Sequence, residues 1–363
     1  MDKPPGAPHP NSPAVAPMGY AQLTPDVVLD ALDAVGIRGD GRILQLNSYE
    51  NRVFRVMCED GSAVVVKFYR PGRWSDAQIA EEHDFAHELA QAEVPVIAPR
   101  VLQPGDGVAP EHLQLHGLHA SLACWQPPHG PALRFSVSPC LAGRDPTVET
   151  DAQWQRLGRL MGRVHAVGQR RAFSHRLRWH GHLAHEAIDT LEQTQVVDDS
   201  VRARWLSLAR QAADAVAQAW QACEHAAGPQ GLGIRLHGDA HRGNLLERES
   251  LLYLVDLDDA CTGPPMQDLW LFLDGQDRQQ GQRQLDQLLR GYEEFANFDD
   301  TQRRLIEPLR TLRVLRHSAW IAQRWSDPAF ALAFPGFGSP NHWADQMVVL
   351  QEQLDRMNNS SPL

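Results

Sequence analysis

The spacing of apolar residues changes about a third of the way along the chain. The first third contains short alternating or continuous apolar runs, which are typical of β-strands. It also contains two helical segments, the first opened by a capping Thr24 and by Pro25, a residue suited to the first helical turn. The elements predicted here are strands at 42–46, 52–58 and 63–69, a hairpin turn at 59–61, helices at 24–36 and 78–92, and a connecting strand at 135–141.

The remaining two thirds have mainly helical periodicity, interrupted by two short apolar runs. The elements predicted here are helices at 153–166, 184–193, 201–226, 282–295, 302–324 and 342–357, and strands at 234–236 and 251–257. A β-rich part followed by a helical part predicts an α+β fold with two lobes and a cleft between them. We place the N-lobe at 20–136 and the C-lobe at 137–357, with disordered tails at 1–19 and 358–363.

One internal segment lacks either periodicity. Residues 104–131 are rich in glycine, proline and histidine, and we interpret them as a loop-bearing insertion. The segment precedes the connection between the two predicted lobes, and we predict no specific contact between it and a ligand in the cleft.

Composition narrows the class of protein. A net charge of −11 over 363 residues argues against a nucleic-acid binder, which usually carries a basic patch. The five cysteines include no C-x-x-C pair, so neither a disulfide framework nor a zinc ribbon is indicated. The first residues lack the apolar region of a signal peptide, and no run of 18 apolar residues could span a membrane. We therefore expect a cytoplasmic monomer that needs neither nucleic acid nor membrane.

The densest chemical signal is the stretch LHGDAHRGN at 236–244, followed by VDLDD at 255–259. Phosphoryl transfer needs a carboxylate near the acceptor hydroxyl and oxygen ligands for Mg²⁺ on the phosphates. The spacing of Asp239, Asn244 and Asp256 matches that of a kinase catalytic loop and its later aspartate, with glycine in place of the usual arginine. Turn-forming Asp and Asn are the simpler explanation of an isolated motif, but not of this whole combination. We predict that Asp239 and Asp256 are catalytic and that Asn244 and Asp256 bind Mg²⁺.

The β-rich part supplies a matching phosphate site. Lys67 interrupts an apolar strand run, and a lysine there is costly unless it is paired. A kinase lysine contacts the ATP phosphates and pairs with a helix glutamate. Of the three glutamates in the following helix we choose Glu82, because it shares the apolar side of the helix. Ser48, in the loop between the first two strands, could contact a phosphate, although an ordinary hairpin loop remains an alternative.

Two further features have competing interpretations. Asp268 stands near the start of a short helix, where it could be an N-terminal cap or a buried carboxylate that supports the catalytic loop; we favour the supporting role. Histidines crowd one stretch at 175–185, which suggests a metal site. A catalytic zinc site normally adds a carboxylate and outer partners, and no H-E-x-x-H motif occurs, so we do not predict zinc.

Taken together, these residues resemble the aminoglycoside phosphotransferase and choline kinase superfamily and, within it, the bacterial stress response kinase A family. The likeness extends from about residue 22 to about residue 350 through the stretches LNSYENRVF, VVVKFYRPGRW, EEHDFA, EVPVIAP, RLHGDAHRGN, VDLDDACTGPPMQDLW, GYEEF, LIEPLR and RWSDPAF. The resemblance implies a protein-kinase-like fold and a cytoplasmic Ser/Thr protein kinase of the oxidative and envelope stress response. It also implies Asp239 as proton acceptor, Asn244 and Asp256 as Mg²⁺ ligands, and Ser48 and Lys67 as ATP contacts. The insertion and the proline-rich start depart from the family pattern.

Three functions are therefore compared below. The first is a Ser/Thr protein kinase that uses ATP and Mg²⁺. The second is a kinase of a small molecule such as an amino alcohol, a sugar or an antibiotic, because the core motif is common to both. The third is a non-catalytic nucleotide-binding regulator, which we would expect to lack one of Lys67, Asp239, Asn244 or Asp256; all four are present.

Overall fold

The computed structural model describes residues 23–228, 231–275 and 277–359. In chain order the N-terminal elements are α1 (Pro25–Ala34), β1 (Gly39–Leu46), β2 (Arg52–Cys58), β3 (Ala63–Phe68), α2 (Asp76–Gln91), β4 (Leu113–His116), β5 (Leu122–Trp125) and β6 (Leu133–Pro139). The Thr24 hydroxyl caps α1 and Pro25 opens it, as the sequence predicts. The predicted tail at 1–19 lies outside the described residues.

The N-lobe is built on one six-stranded antiparallel sheet with the order β1-β2-β3-β6-β5-β4. Strand β3 lies inside the sheet, where Lys67 faces Val53 of β2 and Ser136 of β6. On either side of Lys67 along the strand, Val66 and Phe68 are buried in the apolar core of this lobe. The sheet therefore fixes the lysine at a central strand position rather than at an edge.

The interpretation of residues 104–131 as a loop insertion is wrong in part. This stretch contains β4 and β5, which pair with each other from Leu113 to Trp125 and extend the sheet by two strands. Both strands have only four residues, too short for their alternation to stand out among the surrounding glycines and prolines. Strand β6 crosses the boundary predicted at residue 136, so the sheet continues to Pro139.

The C-lobe is mainly helical. Its elements are α3 (Asp151–Gly168), α4 (Leu183–Thr194), α5 (Arg202–Ala227), β7 (Ile234–Leu236), β8 (Leu245–Arg248), β9 (Leu251–Leu254), β10 (Cys261–Gly263), α6 (Met266–Leu269), α7 (Arg278–Tyr292), α8 (Ile306–Gln323), α9 (Pro328–Ala333) and α10 (Pro340–Asn358). All six predicted C-lobe helices are present, although residues 300–305 form a separate 3-10 turn before α8. Helix α10 reaches Asn358, one residue into the predicted tail.

Two small antiparallel sheets position the polar loops at 237–244 and 255–260. Strand β7 pairs with β10, and β8 pairs with β9. The loop at 237–244 therefore joins the two sheets, and the loop at 255–260 joins them again in the opposite direction. The predicted strand at 251–257 is shorter than expected, because a 3-10 turn begins at Leu257. The mixed architecture and the two lobes confirm the predicted α+β fold.

Candidate active site

A buried carboxylate holds the start of the loop at 237–244. Asp268 has no solvent exposure and accepts the backbone N–H groups of His237 and Gly238, both at 2.8 Å. His165 donates its Nε2–H to the same carboxylate at 3.2 Å and accepts from the Tyr292 hydroxyl at 3.0 Å. Asp268 therefore supports this loop, and its side chain makes no capping bond to α6.

The glycine of the loop is required by a close backbone contact. Gly238 has φ 88°, and a side chain built there would place its Cβ 2.0 Å from the carbonyl oxygen of Asp259. Arginine, which occupies this position in the common kinase motif, could not fit. The departure from that motif thus follows from how tightly the 237–244 and 255–260 loops pack together.

Hydrogen bonds between those loops place Asn244 and Asp256 side by side. His237 donates from Nε2 to the Val255 carbonyl at 2.8 Å, and the Val255 N–H donates to the Asn244 carbonyl at 3.0 Å. The Asn244 side chain donates from Nδ2 to the Asp239 carbonyl at 3.0 Å. Asp256 itself has φ 62°, a left-handed conformation that aspartate tolerates better than most residues. The three residues predicted from spacing are thereby brought to one rim of the cleft.

Asp239 is held by two basic side chains. Arg313 of α8 donates to Oδ1 at 2.6 Å, and His241 lies 3.3 Å from Oδ2. Burial alone would raise the pKa of Asp239, but the hydrogen bond with His241 and the Arg313 charge outweigh burial and hold that pKa well below its usual range. The carboxylate is therefore ionised throughout the physiological range, as a proton acceptor must be.

The lysine of the sheet reaches across the cleft to the second predicted aspartate. Lys67 Nζ donates to Asp256 Oδ1 at 2.7 Å and lies 4.0 Å from Asp258 Oδ1. Burial would lower the pKa of Lys67, but these two carboxylates outweigh it and raise that pKa well above its ordinary value. We expect the Lys67 ammonium and the Asp256 carboxylate to flank a triphosphate, and in this structure the two groups form a direct ion pair.

Glu82 does not pair with Lys67 as predicted. Both residues are described, yet no ion pair within 4.0 Å joins them, and the Glu82 carboxylate lies 3.6 Å from His83 Nε2. Burial raises the pKa of Glu82 to about 7, although the Lys67 and Arg176 charges partly oppose that rise. Lys67 contacts Asp256 and Asp258 instead, and Glu82 is a buried carboxyl group that makes no ion pair with this lysine.

The loop between β1 and β2 is fastened to both lobes. The Ser48 hydroxyl accepts the Asn51 N–H at 3.3 Å, which closes a turn, and Ser48 remains partly exposed. Asn51 donates to Asp258 at 3.2 Å. Glu50 accepts from Trp320 Nε1 at 2.6 Å and from Arg324 at 3.0 Å, both from α8. The structure therefore shows this loop drawn toward the C-lobe.

Three residues of the site were not predicted: Asp258, Arg73 and Arg313. Asp258 is buried and bonded to Arg73, and the charges of Arg73 and Lys67 outweigh burial to lower its pKa. The sequence offered a signal for Asp258, since the run VDLDD contains three carboxylates and only one was assigned. Arg313 lies 74 positions from its partner Asp239, and no local pattern links the two.

The histidine-rich stretch forms pairs with acidic residues rather than a metal cage. His185 contacts Asp214 at 2.9 Å and His180 contacts Glu186 at 3.4 Å. Within residues 23–228, 231–275 and 277–359, no group of three or more His, Cys, Asp or Glu side chains is arranged to hold a metal ion. In the same ranges no helix is long and apolar enough to cross a membrane.

The donors at the cleft suit Mg²⁺ bound to a nucleotide. Such an ion usually keeps several waters and takes one or two carboxylates besides the phosphate oxygens. Asp256 is 53% exposed, and its Oδ2 is not used by Lys67. Asn244 uses its Nδ2 for the Asp239 carbonyl, which leaves Oδ1 as a potential ligand. One carboxylate and one amide oxygen therefore fit this role.

Comparison with known proteins agrees with this geometry. The profile of the Phosphotransferase enzyme family matches residues 42–306. Stress response kinase A of Escherichia coli strain K12 is 37% identical over 336 residues, which cover 92% of this chain and 93% of that protein. The chain belongs to the stress response kinase A family, within the Phosphotransferase enzyme family. The Serine/threonine protein kinase RdoA of Salmonella typhimurium strain LT2 is likewise 37% identical over 335 residues, covering 92% of this chain and 93% of that protein.

Solved structures share the fold of this phosphotransferase. An aminopropanol kinase associated with a microcompartment has a TM-score of 0.67 at 19% identity, covering 92% of this chain and 99% of that one. The amicoumacin kinase hAmiN, solved with AMP-PNP, Ca²⁺ and amicoumacin, has a TM-score of 0.65 at 17% identity, covering 93% of this chain and 94% of that one. These two kinases confirm the two-lobed architecture of the family.

Proposed function

We propose that this phosphotransferase is a Mg²⁺-dependent kinase that moves the γ-phosphate of ATP to Ser and Thr hydroxyls of proteins. The proposal rests on one observation. Four side chains lie close together at one edge of the cleft: Lys67, Asp256, Asn244 and Asp239. Protein acceptors are favoured over small ones by relatives at 37% identity, one of which is named a serine/threonine protein kinase.

In the proposed mechanism each side chain has one task. Lys67 and the turn at Ser48 hold the phosphates beneath the β1–β2 loop. Asn244 and Asp256 would hold Mg²⁺, which supplies neutralisation of charge on the phosphate oxygens. Asp239 orients the acceptor hydroxyl and takes its proton as the new O–P bond forms and the bond to the bridging β,γ-oxygen breaks. Positioning and charge account for most of the acceleration.

A small-molecule kinase is the second candidate, because the two solved structures above are named as kinases of aminopropanol and of amicoumacin. At 17–19% identity those structures support the fold and not the acceptor. The acceptor must therefore be found by experiment.

The test is phosphate transfer from γ-labelled ATP to two sets of acceptors, proteins and small alcohols. The small set contains an amino alcohol, a sugar and an aminoglycoside, and each reaction has a control with the Mg²⁺ chelated. We expect label on protein Ser and Thr, located by mass spectrometry, and none on the alcohols. Label on an alcohol alone would establish the second candidate, and no Mg²⁺-dependent ATP turnover at all would favour a non-catalytic regulator.

The proposal extends to the setting of the enzyme. The family name of the relatives supports a role in the stress response. Consumption of ATP and reaction with intracellular proteins would require a cytoplasmic location, and nothing in the proposed mechanism needs a second copy of the chain.

A further inference from the structure

We propose, resting on the protein-kinase function proposed above, that this enzyme selects Ser and Thr residues with acidic neighbours, and that Arg313 and Arg316 of α8 recognise those neighbours. The inference names the chemistry of the acceptor, which the catalytic motif itself leaves undetermined. It depends on where α8 lies and on the partners of its basic residues.

Helix α8 forms one wall of the cleft between Asp239 and the β1–β2 loop. Five side chains follow one helical stripe at spacings of three or four residues: Arg313, Arg316, His317, Trp320 and Arg324. The first of them contacts Asp239, and the last two contact Glu50. With a rise of about 1.5 Å per residue, the stripe spans roughly 16 Å. The stripe thus connects the proposed base to the loop that we expect to cover the phosphates.

Arg313 competes with the acceptor hydroxyl for one oxygen of Asp239. Its Nη1 lies 2.6 Å from Asp239 Oδ1, and its side chain is 44% exposed. Asp239 needs a carboxylate oxygen for the acceptor hydroxyl, and His241 already lies close to the other oxygen. A carboxylate beside the acceptor hydroxyl would give the guanidinium a replacement partner and release Asp239 Oδ1. Binding of an acidic acceptor would thus uncover the base.

Arg316 offers a second position for an anion. Its guanidinium stacks over the Trp179 ring at 4.7 Å, which holds the group in place. Its Nη1 is buried and has no hydrogen-bond partner among the described residues. A buried guanidinium N–H without an acceptor is unfavourable, so an acidic neighbour of the acceptor that displaced the groups covering Nη1 would gain a charge-assisted hydrogen bond there. The two arginines are three residues apart, on adjacent turns of one helix face.

The acidic groups near the two arginines all have basic neighbours: Asp239 pairs with Arg313 itself, and Glu186, whose charge acts on Arg316, lies 3.4 Å from His180. Asp256 is paired with Lys67, and Asp259 with Arg73 at 2.6 Å. His317, between the two halves of the stripe, stacks on Trp320 at 5.6 Å and adds no negative charge. Arg316 Nη1 has no hydrogen-bond partner among the described residues, so an added carboxylate would gain most at this position of the wall. Amino alcohols and aminoglycosides, which carry ammonium groups at neutral pH, would gain no partner from Arg316.

The experiment compares three synthetic peptides that share one Ser and differ only in its flanks, which are acidic, alanine or basic. We measure kcat and KM for each peptide with the full-length enzyme and saturating Mg²⁺·ATP. Wild type should prefer the acidic peptide over the basic one by at least about tenfold in kcat/KM. Arg313→Gln should lose most of that preference through a higher KM for the acidic peptide, and Arg313→Glu should reverse it.

Controls separate recognition from a structural effect. Arg313→Lys keeps the charge and should keep part of the preference. Arg290→Gln, an exposed arginine of α7 outside the cleft, should behave as wild type. In wild type, salt should raise KM for the acidic peptide and leave KM for the alanine peptide unchanged. If Arg313→Gln folds poorly, this salt dependence still decides the question.

The outcomes also separate this inference from the proposed function. Phosphorylation of all three peptides with equal efficiency, or an equal loss on all three in Arg313→Gln, would overturn the acidic-acceptor inference and leave a Ser/Thr kinase. Phosphorylation of a small alcohol with none of any peptide or protein would overturn the proposed function itself.

Discussion

The proposed catalytic loop at 237–244 and the β1–β2 loop at 47–51 lie on different lobes, and they differ in whether one lobe or both hold them. The catalytic loop is held from within its own lobe by Asp268, which has no solvent exposure. The β1–β2 loop is held from both lobes: Arg70 of the N-lobe donates to the Glu50 carbonyl at 2.9 Å and to the Tyr49 carbonyl at 3.1 Å, and Trp320 and Arg324 of the C-lobe contact the Glu50 carboxylate.

The two loops differ in which contacts keep them in position. Bonds to a buried carboxylate last as long as the C-lobe is folded, so the position of Asp239 does not depend on the N-lobe. Arg70 contacts Glu50 within the N-lobe, whereas the contacts of Glu50 with Trp320 and Arg324 exist only while the two lobes are close together. We infer that the proposed catalytic half of the site is preorganised and that closure of the lobes completes the proposed phosphate-binding half. The predictions below test the two halves separately, from the largest expected effect to the smallest.

Removal of the shared carboxylate at the cleft should have the largest effect. Asp256→Asn removes the partner of Lys67 and the proposed charged Mg²⁺ ligand, so we expect turnover to fall by about 10³-fold. Affinity for ATP should also become insensitive to Mg²⁺, as measured by calorimetry with and without the ion. Glu249→Gln, at an exposed turn, is the control. Mg²⁺-dependent ATP binding equal to wild type would contradict the role of Asp256.

Removal of the buried support should unfold the C-lobe more easily. Asp268→Ala leaves two backbone N–H groups and His165 without their acceptor, which should cost about 3–5 kcal/mol of unfolding free energy. The matched control is Asp277→Ala, which removes the N-terminal cap of α7 and should cost only about 1 kcal/mol. Urea denaturation measures both. Equal losses would show that Asp268 acts as an ordinary cap.

Glu82 should make stability depend on pH. Its pKa rises from 4.5 to about 7 on folding, so the stability contributed by its protonated form is complete below about pH 4.5 and declines as pH rises through about 7. Glu82→Gln mimics that form, and should match wild type at about pH 4 and exceed it by up to roughly 3 kcal/mol at about pH 8. Denaturation at the two pH values gives the difference. A variant less stable than wild type at the higher pH would mean that the carboxylate is ionised and paired.

Weakening the contact between the lobes should have the smallest effect. Glu50→Gln keeps hydrogen-bonding atoms and loses the charge that Arg324 contacts, so KM for ATP should rise by up to about tenfold, equivalent to ~1.4 kcal/mol. The kcat at saturating ATP should change little, because the loop at 237–244 is held by Asp268. The free energy of unfolding should fall, because the buried Arg70 loses a carboxylate partner. A large fall in kcat with unchanged KM would contradict the division between the two halves of the site.

The sequence predicts the catalytic half of the site better than the other half. Asp239, Asn244 and Asp256 lie within 18 residues of one another, so local spacing alone defined them. The lobes and most helices followed from periodicity, whereas β4 and β5 have too few residues to display it. The Lys67–Asp256 and Arg313–Asp239 pairs join positions 189 and 74 residues apart. Such contacts depend on how the lobes pack. For the same reason the sequence predicted that Lys67 pairs with Glu82, whereas the structure pairs Lys67 with Asp256.

The central claim, that Asp239 is the proton acceptor of a preorganised loop, is tested most directly by single-turnover phosphate transfer with Asp239→Asn. Loss of the general base should slow transfer to the acceptor by about 10²–10⁴-fold. The Kd for Mg²⁺·ATP should stay within about twofold of wild type, because Lys67, Asn244 and Asp256 are untouched. Transfer at a rate near that of wild type would contradict the claim.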